Sequence, residues 1–357
     1  MPEPLTTSRT FYVGTYSDGS GPGIHCCCLD RQSGALSLVS QTMGGAKPSF
    51  LALHPSGKYL YAVNELAVEG GGPGGGVSAF IVEPGTGGLQ LLNQQATHGD
   101  HPCHLSVDRS GKYLMAANYS SGTLALFPIG KDGRLQETCQ VIQHRGSGPD
   151  PKRQAGPHAH AIYPDPGNRF VLACDLGTDK IVVYRLEHGQ LIPHGEAALS
   201  GGAGPRHLDF SPDGRFVYVI NELNSTVTVF TYDAEPGSLQ PIQTITTLPA
   251  GAGGRNLCAE IAMHPTGKFL YGSNRGCHSI VIYGVDQGTG RLTLAGHVTD
   301  RINEPRGFAL DPGGNFLVAG SQHSDRVIAF AVDLSSGALR LCGEGIAVPK
   351  PVCVIFA

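Results

Sequence analysis

The sequence has 357 residues, a formal net charge of −4 and only 15% charged residues. Because so little basic surface is available to neutralise phosphates, we expect no binding to nucleic acid or to a membrane. The first residues, MPEPLTTSRTFYVGTY, contain no basic segment followed by an apolar one, and no run of 18 apolar residues occurs. We therefore expect a soluble, cytoplasmic protein.

Three strand-like segments come first in the chain, FYVGTY, GIHCCCLD and ALSLVSQ, at residues 11–16, 23–30 and 35–41. The second contains three consecutive cysteines of the ten in the chain, without the paired CxxC spacing of zinc sites. A chain of this size without an export signal does not need disulfides to fold. We expect reduced thiols and no bound metal.

A longer phrase follows at residues 48–64, PSFLALHPSGKYLYAVN, and it returns at 205–221 as PRHLDFSPDGRFVYVIN. Less regular copies start at Pro102, Pro157, Cys258 and Pro305. Each copy is followed by a β-branched or apolar run such as VTVF or IVIY, which is typical of a β-strand. The glycine-rich stretch 69–76 precedes no helix, so it does not indicate a phosphate-binding loop.

A second motif, G-x-L, closes each unit and marks a turn that enters a strand. It occurs seven times, 46 to 56 residues apart, starting at Gly34, Gly87, Gly133, Gly189, Gly237, Gly290 and Gly337. Apolar residues show no helical period, and the 51 glycines and 25 prolines fall mostly between the apolar runs. Four short strands per unit and this repeat length predict an all-β, seven-bladed β-propeller with four antiparallel strands per blade.

The two ends of the chain predict how the ring closes. The last segment, PVCVIFA at 351–357, reads as an inner strand with no partners after it, whereas the first three segments lack an inner strand before them. We expect these segments to share the seventh blade, and residues 1–357 to form a single domain.

Two positions in the repeat carry polar side chains that only some blades contain. The start of the inner strand has Ser49, His104, His158 with His160, Arg206 with His207, Glu260 and Arg306, and the end of the next strand has Glu65, Tyr119, Leu176, Glu222, Arg275, Gln322 and, from the N-terminal segment, Tyr16. Because the two innermost strands are antiparallel, both positions lie at one mouth of the central channel.

Several arginines, histidines and glutamates around one concave mouth favour an anionic ligand with a phosphate or carboxylate group. Purely structural roles are also consistent with the sequence. His104 or His207 could bond only to backbone, and Arg206 with Glu222 could form an ordinary ion pair within one blade. The asparagines that precede several of the second positions, Asn64, Asn118, Asn221 and Asn274, are better explained by turn chemistry.

Five segments carry the polar residues of these two positions: GPHAH (156–160), GPRHLDFSPDG (204–214), NELNSTVTVF (221–230), SNRG (273–276) and EPRGF (304–308). These segments resemble the lactonase family of seven-bladed propellers, which is known for 6-phosphogluconolactonase activity. The family is similar to the fungal carboxy-cis,cis-muconate lactonizing enzyme. That resemblance implies a catalytic group of His158, Arg206, Glu222 and Arg275, with His160 as the alternative histidine and Glu260 as a second acid in the pocket.

The resemblance implies metal-independent hydrolysis of a sugar lactone, most simply 6-phosphoglucono-1,5-lactone. Glu222 or His158 would activate water, Arg206 and Arg275 would stabilise the oxyanion, and one of these arginines or Arg306 would hold the phosphate. We expect His104, His160, His207, Glu260 and Arg306 to contact the substrate, no cofactor, and a monomer or weak homo-oligomer. The alternatives are carboxymuconate cycloisomerization, a calcium-dependent gluconolactonase and a propeller that only binds a ligand.

Overall fold

The computed structural model describes residues 7–67 and 74–357, so most of the glycine-rich stretch 69–76 lies outside the described residues. In the described part, the secondary structure consists of β-strands and one 3₁₀ helix, Gln322–Ser324. The strands form seven antiparallel sheets, each with a path of four strands from the inside to the outside. The prediction of an all-β, seven-bladed propeller is confirmed. No helix within these residues is long and apolar enough to cross a membrane.

Each blade is described from its inner strand outward. The strands are β4 (Leu51–Leu53), β5 (Tyr59–Asn64), β6 (Gly76–Val82) and β7 (Leu89–Ala96) in blade 1; β8 (Pro102–Val107), β9 (Tyr113–Asn118), β10 (Thr123–Pro128) and β11 (Gln140–Gln143) in blade 2; β12 (Ala159–Pro164), β13 (Phe170–Asp175), β14 (Lys180–Glu187) and β15 (Gln190–Ala198) in blade 3; and β16 (Pro205–Phe210), β17 (Phe216–Asn221), β18 (Thr226–Asp233) and β19 (Ser238–Thr246) in blade 4.

The other three blades follow the same order. Blade 5 has β20 (Leu257–Met263), β21 (Phe269–Arg275), β22 (Ser279–Val285) and β23 (Leu292–Val298); blade 6 has β24 (Phe308–Leu310), β25 (Phe316–Ser321), β26 (Arg326–Val332) and β27 (Leu339–Leu341), with β28 (Ile346–Ala347) also paired to β26; and blade 7 has β29 (Pro351–Phe356), β1 (Ser8–Thr15), β2 (Ile24–Asp30) and β3 (Leu36–Thr42).

The seventh blade joins the two ends of the described chain, as the sequence predicts. Strand β29 pairs with β1 in antiparallel register, which sets Val354 opposite Val13 and Phe356 opposite Phe11. On its two flanks β29 contacts the inner strands β24 and β4 of the neighbouring blades. The inner strands therefore form a closed ring, and the C-terminal strand completes it.

The hydrophobic core is divided among the seven contacts between neighbouring blades. Each of the seven buried clusters draws its side chains from two adjacent sheets; Leu172 of blade 3 and Val219 of blade 4, for example, belong to the same cluster. Each fully buried side chain of this size contributes about 2 kcal/mol of transfer free energy. The blades thus stabilise one another, because a single sheet has no other way to cover its two faces.

The structure explains why the G-x-L motif begins with glycine. All seven of these glycines have a φ between 66° and 81°, in the left-handed region that glycine adopts at little cost. Several of them also lie against an aromatic ring of the preceding blade, so that a Cβ atom on Gly290 would lie 2.3 Å from the ring of Phe216. The motif therefore marks a contact between blades as well as a turn.

The ten cysteines all lie in the described residues, and all of them carry free thiols. The consecutive cysteines of β2 interrupt its pairing with β3, since the register shifts between Cys26 and Cys27. Both of these side chains are buried in the core.

Candidate active site

Residues from the two polar positions of the repeat contact one another at one end of the channel. These contacts are Ser49 Oγ to Glu65 Oε2 at 2.5 Å, His158 Nδ1 to the Tyr119 carbonyl at 2.9 Å, Arg206 Nε to Glu222 Oε2 at 3.1 Å, and the Arg306 guanidinium over the Tyr16 ring at 5.3 Å. The start of each inner strand and the end of its neighbour therefore meet at one mouth.

A bulge in the inner strand re-aims one side chain in each of blades 2, 3 and 4. The register with the next strand shifts at Cys103 in β8, at His160 in β12 and at Arg206 in β16. A bulge leaves one residue unpaired and re-aims its side chain. His160 and Arg206 therefore occupy the same position in blades 3 and 4, whereas His158 precedes β12.

The carboxylate of Glu222 is the centre of the mouth and is bound by three arginines. Its Oε2 accepts hydrogen bonds from Arg206 Nε at 3.1 Å and from Arg275 Nη2 at 2.8 Å, and its Oε1 accepts one from Arg153 Nη2 at 2.5 Å. Glu222 is only 4% exposed. These arginines come from three different parts of the chain, so the cluster exists only in the folded ring.

The charges around Glu222 determine its ionisation. Burial disfavours the charged form, but the positive charges of Arg275, Arg206 and Arg153 outweigh burial and lower the pKa of Glu222 to about 2. Glu222 is therefore a carboxylate at neutral pH and a very weak base.

Arg206 and Arg275 are also bonded to the backbone of blade 5. Arg206 Nη1 donates to the Ala259 carbonyl at 2.6 Å, and Arg275 Nη2 donates to the Cys258 carbonyl at 2.9 Å. Both residues are buried. Their guanidinium planes are therefore held in place by neutral acceptors as well as by Glu222.

Arg306 differs from these arginines, because no hydrogen bond or ion pair of its side chain is found within the described residues. Its guanidinium lies over the ring of Tyr16, whose hydroxyl donates to Glu65 Oε1 at 3.3 Å. Burial raises the pKa of Tyr16, so this hydroxyl remains protonated. The donors of Arg306 are therefore available to a ligand.

The two histidines of GPHAH have different surroundings. His158 is partly exposed and stacks on Tyr119 with a centroid distance of 4.5 Å; its Nδ1 faces a carbonyl, so this nitrogen carries the proton and Nε2 bears the lone pair. His160 is 3% exposed, and its Nε2 lies 4.0 Å from Glu222 Oε2. Burial holds the pKa of His160 well below its ordinary value.

The channel is filled with rings beneath this mouth. The ring of His207 in blade 4 lies 5.6 Å from that of Phe50 beside β4, 5.2 Å from His104 and 5.4 Å from His160. Tyr163 packs against His104 at 4.5 Å. Since Phe50 and His207 come from blades on different sides of the ring, the mouth has a floor made of side chains.

His207 connects the arginines to a second carboxyl group. Arg206 Nη1 lies 3.2 Å from His207 Nε2, which must accept this hydrogen bond, so His207 Nδ1 carries the proton and donates to Glu260 Oε1 at 2.8 Å. Burial raises the pKa of Glu260 to about 7, although Arg206 acts in the opposite direction. Glu260 is thus able to exchange a proton near neutral pH.

The nine site residues predicted from the sequence divide into two levels. His158, His160, Arg206, Glu222, Arg275 and Arg306 gather at the mouth, and His104, His207 and Glu260 lie deeper. The asparagines at the strand ends make structural bonds, as Asn64 does to the Gly44 and Ala46 carbonyls. Within the described residues, no group of three His, Cys, Asp or Glu side chains has the geometry to hold a metal ion.

Sequence reasoning missed Arg153, Phe50 and Tyr163. Arg153 lies between blades 2 and 3, outside the repeated phrases, and a comparison of equivalent positions therefore does not include it. The only feature of the sequence that could have indicated Arg153 is the basic pair in PDPKR at 149–153. Phe50 follows Ser49 directly, but an apolar residue at this point gave no indication that it fills the channel.

Comparison with known proteins gives a consistent result. The family model described as lactonase, 7-bladed beta-propeller matches residues 10–356. A 6-phosphogluconolactonase of Bacillus subtilis (strain 168) is 35% identical over 345 residues, which covers 97% of both chains. The periplasmic gluconolactonase of Pseudomonas aeruginosa has a TM-score of 0.90 and 33% identity, with 98% of this chain and 99% of that chain covered.

A solved structure from Bacteroides fragilis NCTC 9343 is similar over the whole length of both chains, with a TM-score of 0.92 and 36% identity. The fold, the matched range and these identities agree with the resemblance that the sequence motifs indicate. This chain belongs to the lactonase family of seven-bladed β-propellers.

Proposed function

We propose that this protein hydrolyses a sugar lactone at the mouth built around Glu222, and that its substrate is 6-phosphoglucono-1,5-lactone. The observation that carries the proposal is the surplus of fixed positive charge there: Arg153, Arg206 and Arg275 bind the Glu222 carboxylate, and Arg306 also lies close enough to interact with its charge. A phosphorylated lactone is anionic, and the reaction adds a further negative charge at the ring carbonyl.

The first step is attack of water on the lactone carbonyl, which gives a tetrahedral oxyanion; the bond to the ring oxygen then breaks, and a proton goes to that oxygen. Arg306 is suited to bind the oxyanion because its donors have no other partner within the described residues and because it lies beside the cluster. A donor fixed in this way contributes about 10²-fold to the rate.

Glu222 serves this reaction as a positioning residue. With a pKa of about 2 it cannot take a proton from water at neutral pH, so the expectation that Glu222 activates water is replaced by a structural role. Its carboxylate holds Arg153, Arg206 and Arg275 in one arrangement before the substrate arrives. Such preorganisation avoids reorientation during the reaction.

The general base in this proposal is His158. The hydrogen bond from its Nδ1 to the Tyr119 carbonyl leaves the Nε2 lone pair free, and the imidazole is partly exposed at the mouth. His160, by contrast, is buried, and its Nδ1 faces Cys103 Sγ at 3.7 Å. Water and substrate reach His158 more readily, which supports His158 over His160.

We further propose that the protein acts in the cytoplasm as a monomer or weak homo-oligomer and does not bind nucleic acid. The negative formal charge of −4 supports the last point. The similar Pseudomonas aeruginosa protein is described as periplasmic, so fractionation of cells that express this chain is the relevant measurement of location.

The proposal is tested by acid release from freshly prepared 6-phosphogluconolactone, with and without EDTA, for the wild type, Arg206→Ala and Glu222→Gln. We expect a metal-independent rate above the spontaneous one in the wild type and a large loss in both variants. Equal background rates in all three proteins would overturn it. Activity that disappears in EDTA would indicate metal-dependent hydrolysis, and activity only on carboxymuconate would indicate cycloisomerization.

A further inference from the structure

A cavity of about 440 Å³ opens beside the mouth, at the junction of blades 3, 4 and 5. Its wall is formed by the loop that precedes blade 3, the turn after β17 and the loop that precedes β20. Its lining includes Asp150, Lys152, Arg153, Leu223, Arg255 and Leu257.

The cavity shares a wall with the proposed active site. Arg153 lines the cavity and also donates to Glu222 Oε1. Leu223 directly follows Glu222 in the chain, and Leu257 pairs with Arg275 across β20 and β21. A ligand that extends from the mouth toward blade 5 therefore enters this cavity.

The cavity is positively charged, because Lys152, Arg153 and Arg255 outnumber Asp150 in its lining. Lys152 and Arg255 are exposed, and the side chains of both lack an ion-pair partner in the described part of the chain. The single acidic residue, Asp150, accepts the backbone N–H groups of Lys152 and Arg153 through its Oδ1 atom. It shapes the loop that carries Lys152 and Arg153.

The arginines of the mouth are less suited to bind a phosphate group. Arg206 and Arg275 each donate both to Glu222 and to a backbone carbonyl, and the donors of Arg306 are assigned to the oxyanion in the proposed function. A phosphate monoester carries nearly two negative charges and three acceptor oxygens, so it needs several free donors. Lys152 and Arg255 supply such donors at the edge of the same site.

We propose that this cavity binds the phosphate group of the lactone, and that Lys152 and Arg255 determine the preference for a phosphorylated substrate. This inference rests on the proposed function and names the substrate class that the site selects. It replaces the expectation that Arg206, Arg275 or Arg306 holds the phosphate.

The test compares kcat/KM for 6-phosphogluconolactone and for glucono-1,5-lactone in the wild type and in the double variant Lys152→Ala/Arg255→Ala. Hydrogen bonds to charged groups are strong enough that each lost contact costs about tenfold or more. We expect the double variant to lose about 10²-fold on the phosphorylated lactone and to keep its rate on the other one.

The matched control is Lys268→Ala/Arg291→Ala, which removes one lysine and one arginine as the test variant does. Both residues are exposed and lie in turns of blade 5 at the end of the channel away from the mouth. It should change neither rate. If the control loses as much activity on the phosphorylated lactone as the test variant, the effect is long-range electrostatics and the inference is wrong.

Failure of the inference can be distinguished from failure of the proposed function. A wild type that hydrolyses neither lactone contradicts the function, whereas an active wild type with an unchanged substrate preference in the double variant contradicts the phosphate site alone. Calorimetric titration with 6-phosphogluconate and with gluconate provides a readout without catalysis. Equal affinity of the wild type and the double variant for 6-phosphogluconate would also overturn the inference.

Discussion

The carboxylate of Glu222, directly after β17 in blade 4, lies 2.8 Å from the Nη2 atom of Arg275, the last residue of β21 in blade 5. This ion pair connects two blades at the point where the channel opens. Both side chains are buried, and burial lowers the pKa of Arg275 to about 10 while the Glu222 carboxylate acts in the opposite direction. The pair is therefore stable only as long as each charge retains its partner.

We expect Glu222→Gln to reduce both stability and activity. Removal of one charge from a buried cluster leaves the others unpaired, and such changes cost about 3 kcal/mol. The rate should fall at least ~10²-fold, because the arginines lose the group that orients them. Urea unfolding and kcat/KM measure the two effects. The control is Glu235→Gln, which removes an exposed partner of Arg169 and should leave both quantities nearly unchanged.

The choice between the two histidines of the mouth is tested by His158→Gln and His160→Gln. Loss of a general base reduces kcat by about 10²- to 10⁴-fold, with little change in KM. We expect this result for His158→Gln and a smaller loss for His160→Gln. His323→Gln, at an exposed position after β25, serves as the control. Full kcat in His158→Gln together with a large loss in His160→Gln would reverse the assignment.

Glu260 makes stability depend on pH in a predictable direction. Its pKa rises from 4.5 to about 7 in the folded protein, so the folded state holds a proton that the unfolded chain releases between these values. The contribution of the group is therefore fully present below pH 4.5 and is lost as the pH rises through about 7.

The variant Glu260→Gln retains an acceptor for His207 but cannot ionise. We expect its stability relative to the wild type to increase between pH 4.5 and 8, by up to about 3 kcal/mol. Denaturant unfolding at several pH values measures this difference. A constant difference across the range would show that Glu260 titrates normally in the folded state.

Closure of the ring depends on β29, so deletion of residues 351–357 should abolish cooperative folding. The finer test is Gly307→Ala, because a Cβ atom there would lie 2.3 Å from the Val352 carbonyl oxygen and would push β29 away from blade 6. Overpacking of this kind costs about 2 kcal/mol. Gly195→Ala has open space around its Cβ position and serves as the control. Equal melting temperatures for both variants would contradict this account of closure.

The blade architecture was predictable from local sequence features. Each G-x-L glycine is required by a positive φ and by a contact with the preceding blade, and each apolar run corresponds to a strand that is buried on both faces. These requirements recur in every blade, so they repeat in the sequence. The shared seventh blade also followed, since a strand without partners remained at one end and three strands without an inner neighbour remained at the other.

The polar residues at the strand ends were also recognisable, because they interrupt an otherwise repeated pattern. How far into the channel each of these side chains lies was not predictable from the sequence. Arg206 and His207 are adjacent in sequence, yet the bulge in β16 sends Arg206 to the mouth and His207 into the floor. The local sequence does not predict a bulge that is caused by packing against the neighbouring strand.

Sequence by itself therefore determined the number of blades, the closure and the set of candidate residues, because local turn and strand chemistry leaves a repeated pattern. Only the tertiary structure decided what those residues do. The ionisation of Glu222 depends on Arg153, which comes from a connection between blades 2 and 3, and on Arg275, which comes from the next blade. Electrostatic effects act through space, so the state of this carboxylate is set by distances that exist only in the closed ring.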